Sequence, residues 1–358
     1  RLALVACGVV CSAMVAFSHG AADSPESQTP TGWSRSTFTV DASGAGDFKT
    51  VQQAVDALPA TGGVIHIHSG TYREQIHIDK PHVTLIGLGK DPSRVVLTYD
   101  LSHHDVGSTF GSASTTVTGD DFLAENITFQ NTFSDEHPDV NVDAQAVALH
   151  VTGDRDIFRH VRIVARQDSL YADSKTCRSG TSPCAASRQL YSDSYIAGTV
   201  DFIFGDAKAV FERCEIHSRP HEIDSITAQS RLYPAEDSGY VFDHCMLTAD
   251  PGVTDVYLRR PWRLYAFVVF LATDMGGHID PAGWVEWMHD GRSGLTNAFY
   301  AEYGSFGDGA PHAASAGGPN SAAPSARIPQ EKMLTASEAA QFAPRKFLRG
   351  ADNWDPKL

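Results

Sequence analysis

The pattern of apolar and polar positions changes character three times along the chain. Arg1 precedes a mostly apolar run from Leu2 to Phe17, which ends in small residues at Gly20 and Ala22. A charge, an apolar run and a small-residue site in that order read as a signal peptide over residues 1–22. Residues 23–37, crowded with Ser, Pro and Thr, read as a polar leader. From Thr50 to Leu58 the apolar residues Val51, Ala54, Val55 and Leu58 fall at helical spacing, with Thr50 as a plausible N-cap. The spacing predicts one short amphipathic helix there. Beyond it the apolar runs shorten and alternate (VIHIH, QIHI, HVTLIG, RVVLTY), the pattern of strands.

A repeat runs through those strands. The segments beginning at Phe122, Phe158, Tyr191, Phe211 and Phe242 each hold an aromatic residue, four others and an aliphatic, with starts 36, 33, 20 and 31 residues apart. Short strands recurring at variable intervals predict a stacked β-solenoid, in which one coil cannot bury its apolar face alone but neighbours share a core. A sandwich of unrelated strands is the weaker alternative. Cys214 and Cys245 both lie three residues after the aromatic, so stacking sets them about one strand spacing, ~4.8 Å, apart and within reach of a disulfide. Cys177 and Cys184 would then close a small local loop. Four cysteines in an exported chain favour two disulfides over free thiols. Gly304 to Arg327 is rich in Gly, Ala, Ser and Pro and reads as a mobile loop; the following LTASEAAQF is expected to pack a short helix back on the solenoid.

Composition narrows the class. The chain has 358 residues, 42% hydrophobic and 20% charged, which suits a globular protein with a large core. Its net charge of −15 argues against nucleic acid as a partner. No later segment approaches the apolar length of a membrane span. Leu4-Val5-Ala6-Cys7 resembles a lipoprotein processing site, but the apolar run lies mostly after Cys7, so lipid anchoring is the weaker reading beside secretion. No interface is legible, and a monomer is the default.

The common hydrolase elbow, dinucleotide, phosphate-loop and zinc-protease signatures are missing. His66 and His68 alternate on one strand face without a third ligand at good spacing, which favours a solvated or packed pair over a metal site. What stands out is polar chemistry embedded in strand-like sequence: Gln145, Gln167, Asp168, Asp201 and Arg260. Buried carboxylates are costly unless paired. Two acids, two amides and one guanidinium can satisfy one another, and together they form a hydrolytic toolkit.

At these positions the sequence resembles the pectin methylesterases (pectinesterases), a carbohydrate esterase family. The matching segments are SGTYREQI (69–76), QAVAL (145–149), QDSLY (167–171), DFIFG (201–205), LRRPW (258–262) and GWVEW (283–287), with ITAQSR (226–231) and the LTASEA tail. The resemblance runs from about Phe38 to the C-terminus. It implies an all-β, single-stranded right-handed parallel β-helix, the pectin-lyase-like solenoid, with an N-terminal capping helix and a packed C-terminal tail over residues 38–358. It also implies hydrolysis of the C6 methyl esters of methylated homogalacturonan, without a metal or organic cofactor. Motif by motif, Asp201 looks like the nucleophile and Asp168 like the general acid and base. Gln145 and Gln167 look like the oxyanion donors, and Arg260 like the holder of Asp201. Trp262, Tyr171, Phe202 and Trp287 look like substrate contacts. The family also supports a Cys214–Cys245 disulfide.

Three departures stand out. Arg259 replaces the usual Gly and is expected either to add a cation beside the cleft or to face solvent. Ser169 replaces Thr. Asp201 follows Asp168 by 33 positions, about a dozen more than the family pattern, and the extra segment, which holds Cys177 and Cys184, could wall the cleft.

Overall fold

The computed structural model describes residues 36–175, 185–221, 225–287, 294–311 and 327–356. The expected signal peptide, the leader up to residue 35, Cys177 and Cys184 lie outside them, and Thr37, the last expected leader residue, already pairs with Val64 at the start of a strand. Gly63–Ile67, Gly70–Arg73 and Ile76–Ile78 form the first complete turn of a parallel coil, and each strand pairs in register with its counterpart one turn on. Among the described residues, three parallel sheets of eleven, eight and seven strands result. The fold is a parallel β-helix, and its core is the inside of the coil.

The residues explain the stacking. Phe158, Tyr191, Phe211, Phe242 and Phe270 occupy one register column of the eleven-stranded sheet. Their rings stack at centroid separations of 4.5–4.9 Å with planes within 14° of parallel. Ile163, Ile196, Ile216 and Leu247 form a second inward column. The first repeat member slips by two residues, since Ala124 rather than Phe122 pairs with Phe158. Side chains alternate with period two, so the slip leaves Phe122 facing inward and buried.

The predicted helix forms at Val51–Ala57, with Thr50 accepting from the Gln53 N–H. The Glu74 carboxylate takes the Val51 and Gln52 N–H groups at 2.8 and 2.9 Å, tying the helix start to the first coil. At the other end, Ala336–Ala339 begins with a capping box between Thr335 and Glu338. With Pro344–Leu348 it lays Leu334, Ala339 and Leu348 on the outer face of the long sheet, against Leu190, Val210 and Val269. Of the expected mobile loop, residues 304–311 are packed: Gly309 donates to the Met275 carbonyl at 2.9 Å and Ala310 is buried. Residues 312–326 lie outside the description.

Cys214 and Cys245 sit on adjacent coils as the repeat requires, because Glu215 pairs with Met246. The expected disulfide is not formed, and this is a correction. Both are buried free thiols, directed at the Tyr191 and Phe211 carbonyls at 3.4 and 3.2 Å. Burial, then its contact with Cys214, pushes the Cys245 thiol well above its ordinary pKa. No described helix is long and apolar enough to cross a membrane.

Candidate active site

The seven-stranded sheet carries the candidate chemistry on its outer face. Gln145 precedes the strand Leu149–Val151, and Gln167 and Asp168 precede Leu170–Ala172 one turn later. Asp201 lies in Val200–Gly205 on the next turn, and Arg260 follows Tyr257–Arg259 two turns beyond that. Winding therefore stacks positions that the chain scatters. The backbone ties them: Ala146 donates to the Gln167 carbonyl at 3.3 Å, and Asp168 to the Val200 carbonyl at 3.2 Å. All five predicted polar residues line one cavity of about 270 Å³.

Arg260 grips Asp201 as a fork. Its Nε donates to Oδ1 at 2.9 Å and its Nη2 to Oδ2 at 2.6 Å. The Ser225 hydroxyl donates to Asp201 Oδ1 at 2.5 Å from the adjacent coil. Bidentate charge-assisted bonds of this kind fix orientation as well as charge. Asp168 is 9% exposed and has no such partner among the described residues. Burial, then the neighbouring Asp201 charge, pushes its pKa well above the carboxylate range, with Arg260 opposing. Both aspartates sit in the left-handed backbone region, at φ +66° for Asp168 and +50° for Asp201. Such strain persists where the surrounding structure over-determines it.

Aromatic rings wall the cavity. Trp262, Trp287, Phe110 and Phe204 line it with Thr109 and Ala228. The Arg260 guanidinium lies 4.4 Å over the Trp287 ring, and Trp262 meets Phe204 edge-on at 5.9 Å. Tyr171 does not reach the cavity. It is 2% exposed and sandwiched between His150 and Phe204, each at 4.4 Å, so it supports the floor and is not a contact.

Phe202 is a clear correction: it is fully buried in the coil's core. The register between Val200 and Ile203 shifts at a bulge, and Asp201 occupies it. The extra residue breaks the alternation that would have set Phe202 beside Phe204, turning Phe202 inward and leaving Phe204 at the cleft. Ser225, Phe110 and Phe204 were not foreseen. The second Phe of DFIFG was the available signal for Phe204; Phe110 lies in a loop with no period to read.

Asn131 organises that loop. Its side-chain amide donates to the carbonyls of Leu101, Ser112 and Val147 at 2.8–3.1 Å, pinning the segments that carry Phe110 and Gln145. Ser169 locks the turn below Asp168 by donating to the Ala197 carbonyl at 2.8 Å. The inserted segment returns through Ser187, which donates to the Thr152 carbonyl at 2.7 Å.

Arg259 takes neither expected place. It is 0% exposed, inside the coil, with its guanidinium over the Tyr300 and Trp284 rings. Register explains this, because Arg259 falls in one column with the buried Ile203, Thr227 and Trp284.

The pectinesterase family model matches residues 37–351. The chain belongs to the pectinesterase family. A pectinesterase of Daucus carota is 36% identical over 87% of this chain and 92% of its own length. A probable pectinesterase/pectinesterase inhibitor of Arabidopsis thaliana and pectinesterase 1 of Citrus sinensis are also 36% identical, over 88% and 87% of this chain and 52% and 50% of their own lengths. The chain thus spans about half the length of such relatives. Among solved structures, the carrot pectin methylesterase superposes with a TM-score of 0.73 at 34% identity, covering 91% of this chain and 96% of that one. A pectin methylesterase in complex with a hexasaccharide gives 0.69 at 28% identity, covering 89% and 98%. The coil shares the right-handed parallel β-helix of these pectinesterases.

Proposed function

We propose that this chain hydrolyses the C6 methyl esters of pectin, releasing methanol and leaving the polymer length intact. The observation that carries the reading is the division of labour between two acids in one cavity: Asp201 forked by Arg260, Asp168 desolvated beside it. A pectin methylesterase with this fold has been solved with a hexasaccharide, which supports a sugar chain as the occupant.

In this reading the Asp201 carboxylate attacks the ester carbonyl carbon. Gln145 and Gln167 donate N–H bonds to the tetrahedral oxyanion, a role worth about 3 kcal/mol per donor. Asp168 gives its proton to methanol as the C–O bond breaks, leaving an acyl anhydride on Asp201. Now a base, Asp168 takes a proton from the water that cleaves the anhydride. Trp262 and Trp287 stack on sugar rings flanking the scissile ester. Residues 1–22 direct export, residues 38–358 act as one domain, and the chain works as a monomer.

A catalytically silent polysaccharide binder would not require the acids, amides and guanidinium together, and a β-helix glycosidase or lyase would not explain the paired amides. Methanol release from methylated pectin at constant viscosity tests the proposal. Falling viscosity, unsaturated ends or no methanol would each reject it.

A further inference from the structure

A second cavity lies away from the site, along the corner where the eleven-stranded sheet turns into the eight-stranded one. It has a volume of about 440 Å³ and is lined by Lys90, His160, Arg162, Asp193, Tyr195, Arg213 and Glu215. Its residues come from turns that lead into the strands Val95–Tyr99, Arg162–Val164, Tyr195–Gly198 and Glu215–Ser218. These strands span four coil steps of one sheet, about 19 Å at ~4.8 Å per step. That length suits an extended chain.

The charges in this groove are unevenly committed. Asp193 holds Arg213 through two hydrogen bonds of 2.8 Å. Glu215 accepts the Thr248 hydroxyl at 2.8 Å and lies 3.9 Å from His217. Asp91, beside Lys90, accepts the backbone and hydroxyl of Ser93. Among the described residues, Lys90, His160 and Arg162 make no side-chain hydrogen bond or ion pair, and Arg162 instead lies 4.3 Å over the Tyr195 ring. The two uncommitted cations, Lys90 and Arg162, are conspicuous on a chain of net charge −15. The lining sets three cations, Lys90, Arg162 and Arg213, against two acids, Asp193 and Glu215, and its surplus positive charge favours an anionic ligand.

We infer that this groove binds a carboxylated, extended polysaccharide, namely stretches of demethylated galacturonan. Lys90 and Arg162 pair with its carboxylates, and Tyr195 offers ring edge to the sugar. The identity of the ligand rests on the proposed activity, because demethylation makes this polyanion beside the molecule. The groove would hold an already processed stretch while the cleft works on an esterified one.

The test is calorimetric titration of the full chain with a demethylated galacturonate oligomer, in parallel with methanol release from a short methylated oligomer. The wild type should bind two oligomers per chain. Lys90→Gln/Arg162→Gln should lose the second event or weaken it at least about tenfold, with methanol release unchanged. High salt should weaken the second event in the wild type. One event in the wild type, or two unaltered events in the variant, would overturn the inference. Equal groove affinity for a sulfated dextran would overturn the assignment to carboxylated sugar. Two events without methanol release would reject the activity while leaving the groove standing.

Discussion

At the scale of single residues, the site places two aspartates of equal intrinsic acidity in opposed surroundings. Asp201 has a guanidinium and a hydroxyl to itself, whereas Asp168 has burial and a like charge. A carboxyl whose folded pKa is raised binds its proton more tightly in the folded state. Its stability contribution is therefore intact below the unfolded value near 3.9 and is lost as pH rises from there toward the folded pKa. Asp168→Asn removes that loss. Thermal melts should show the variant gaining on the wild type at pH 7 and not at pH 3, while turnover disappears; an equal shift at both pH values would contradict the assignment. Trp262→Ala should raise KM severalfold with kcat little changed, because stacking binds ground state and transition state alike; steady-state kinetics with an unaltered KM would remove Trp262 from the binding surface. The polar five were legible in the sequence because polar groups in apolar strands need partners. Phe202 and Arg259 were misplaced for local reasons: one bulged residue at Asp201 turns Phe202 inward, and Arg259 falls in register with the buried Thr227 and Trp284.

Elements position what residues perform. The seven-stranded sheet presents the acids, but the loops over it hold Phe110 and Gln145, and Asn131 clamps those loops from beneath. Replacing Asn131 by Ala leaves buried carbonyls unpaired, so denaturant titration should show a loss of about 1–3 kcal/mol. kcat should fall together with stability, since Gln145, the proposed oxyanion donor, loses its anchor; normal kcat in a destabilised variant would show that the clamp is structural only. Such clamps leave no trace in hydrophobic periodicity, which is why the loop side of the cleft, with its short helices His103–Val106 and Phe133–Glu136, was not foreseen while the strands and the helices Val51–Ala57 and Ala336–Ala339 were. The stacked cysteines carry the same lesson in reverse. Repeat alignment predicts their adjacency, but bonding depends on thiol environment, which the spacing does not contain.

At the largest scale, the described residues form a coil whose ends must be closed. The N-terminal end takes the helix Val51–Ala57. Toward the C-terminal end the inward column passes from Phe270 to Glu302, a carboxylate with 0% exposure. Arg327 meets it at 2.8 Å and donates also to the Gly309 carbonyl at 2.9 Å. Glu331 is drawn into the same cluster, where burial and Glu302 push its pKa up to about 9. Arg327→Ala strands Glu302 without its cation and should cost about 3–5 kcal/mol in chemical denaturation. Adding Glu302→Gln should recover much of it; a single variant within 1 kcal/mol of wild type would show that the plug is dispensable.

The central claim is that coil winding brings Asp201 to a reacting ester as its nucleophile. Asp201→Asn preserves volume and keeps hydrogen-bonding capacity toward Arg260 and Ser225, so its folding can be confirmed by circular dichroism. Methanol release from highly methylated pectin should then fall to background. Turnover within tenfold of the wild type by that folded variant would contradict the account.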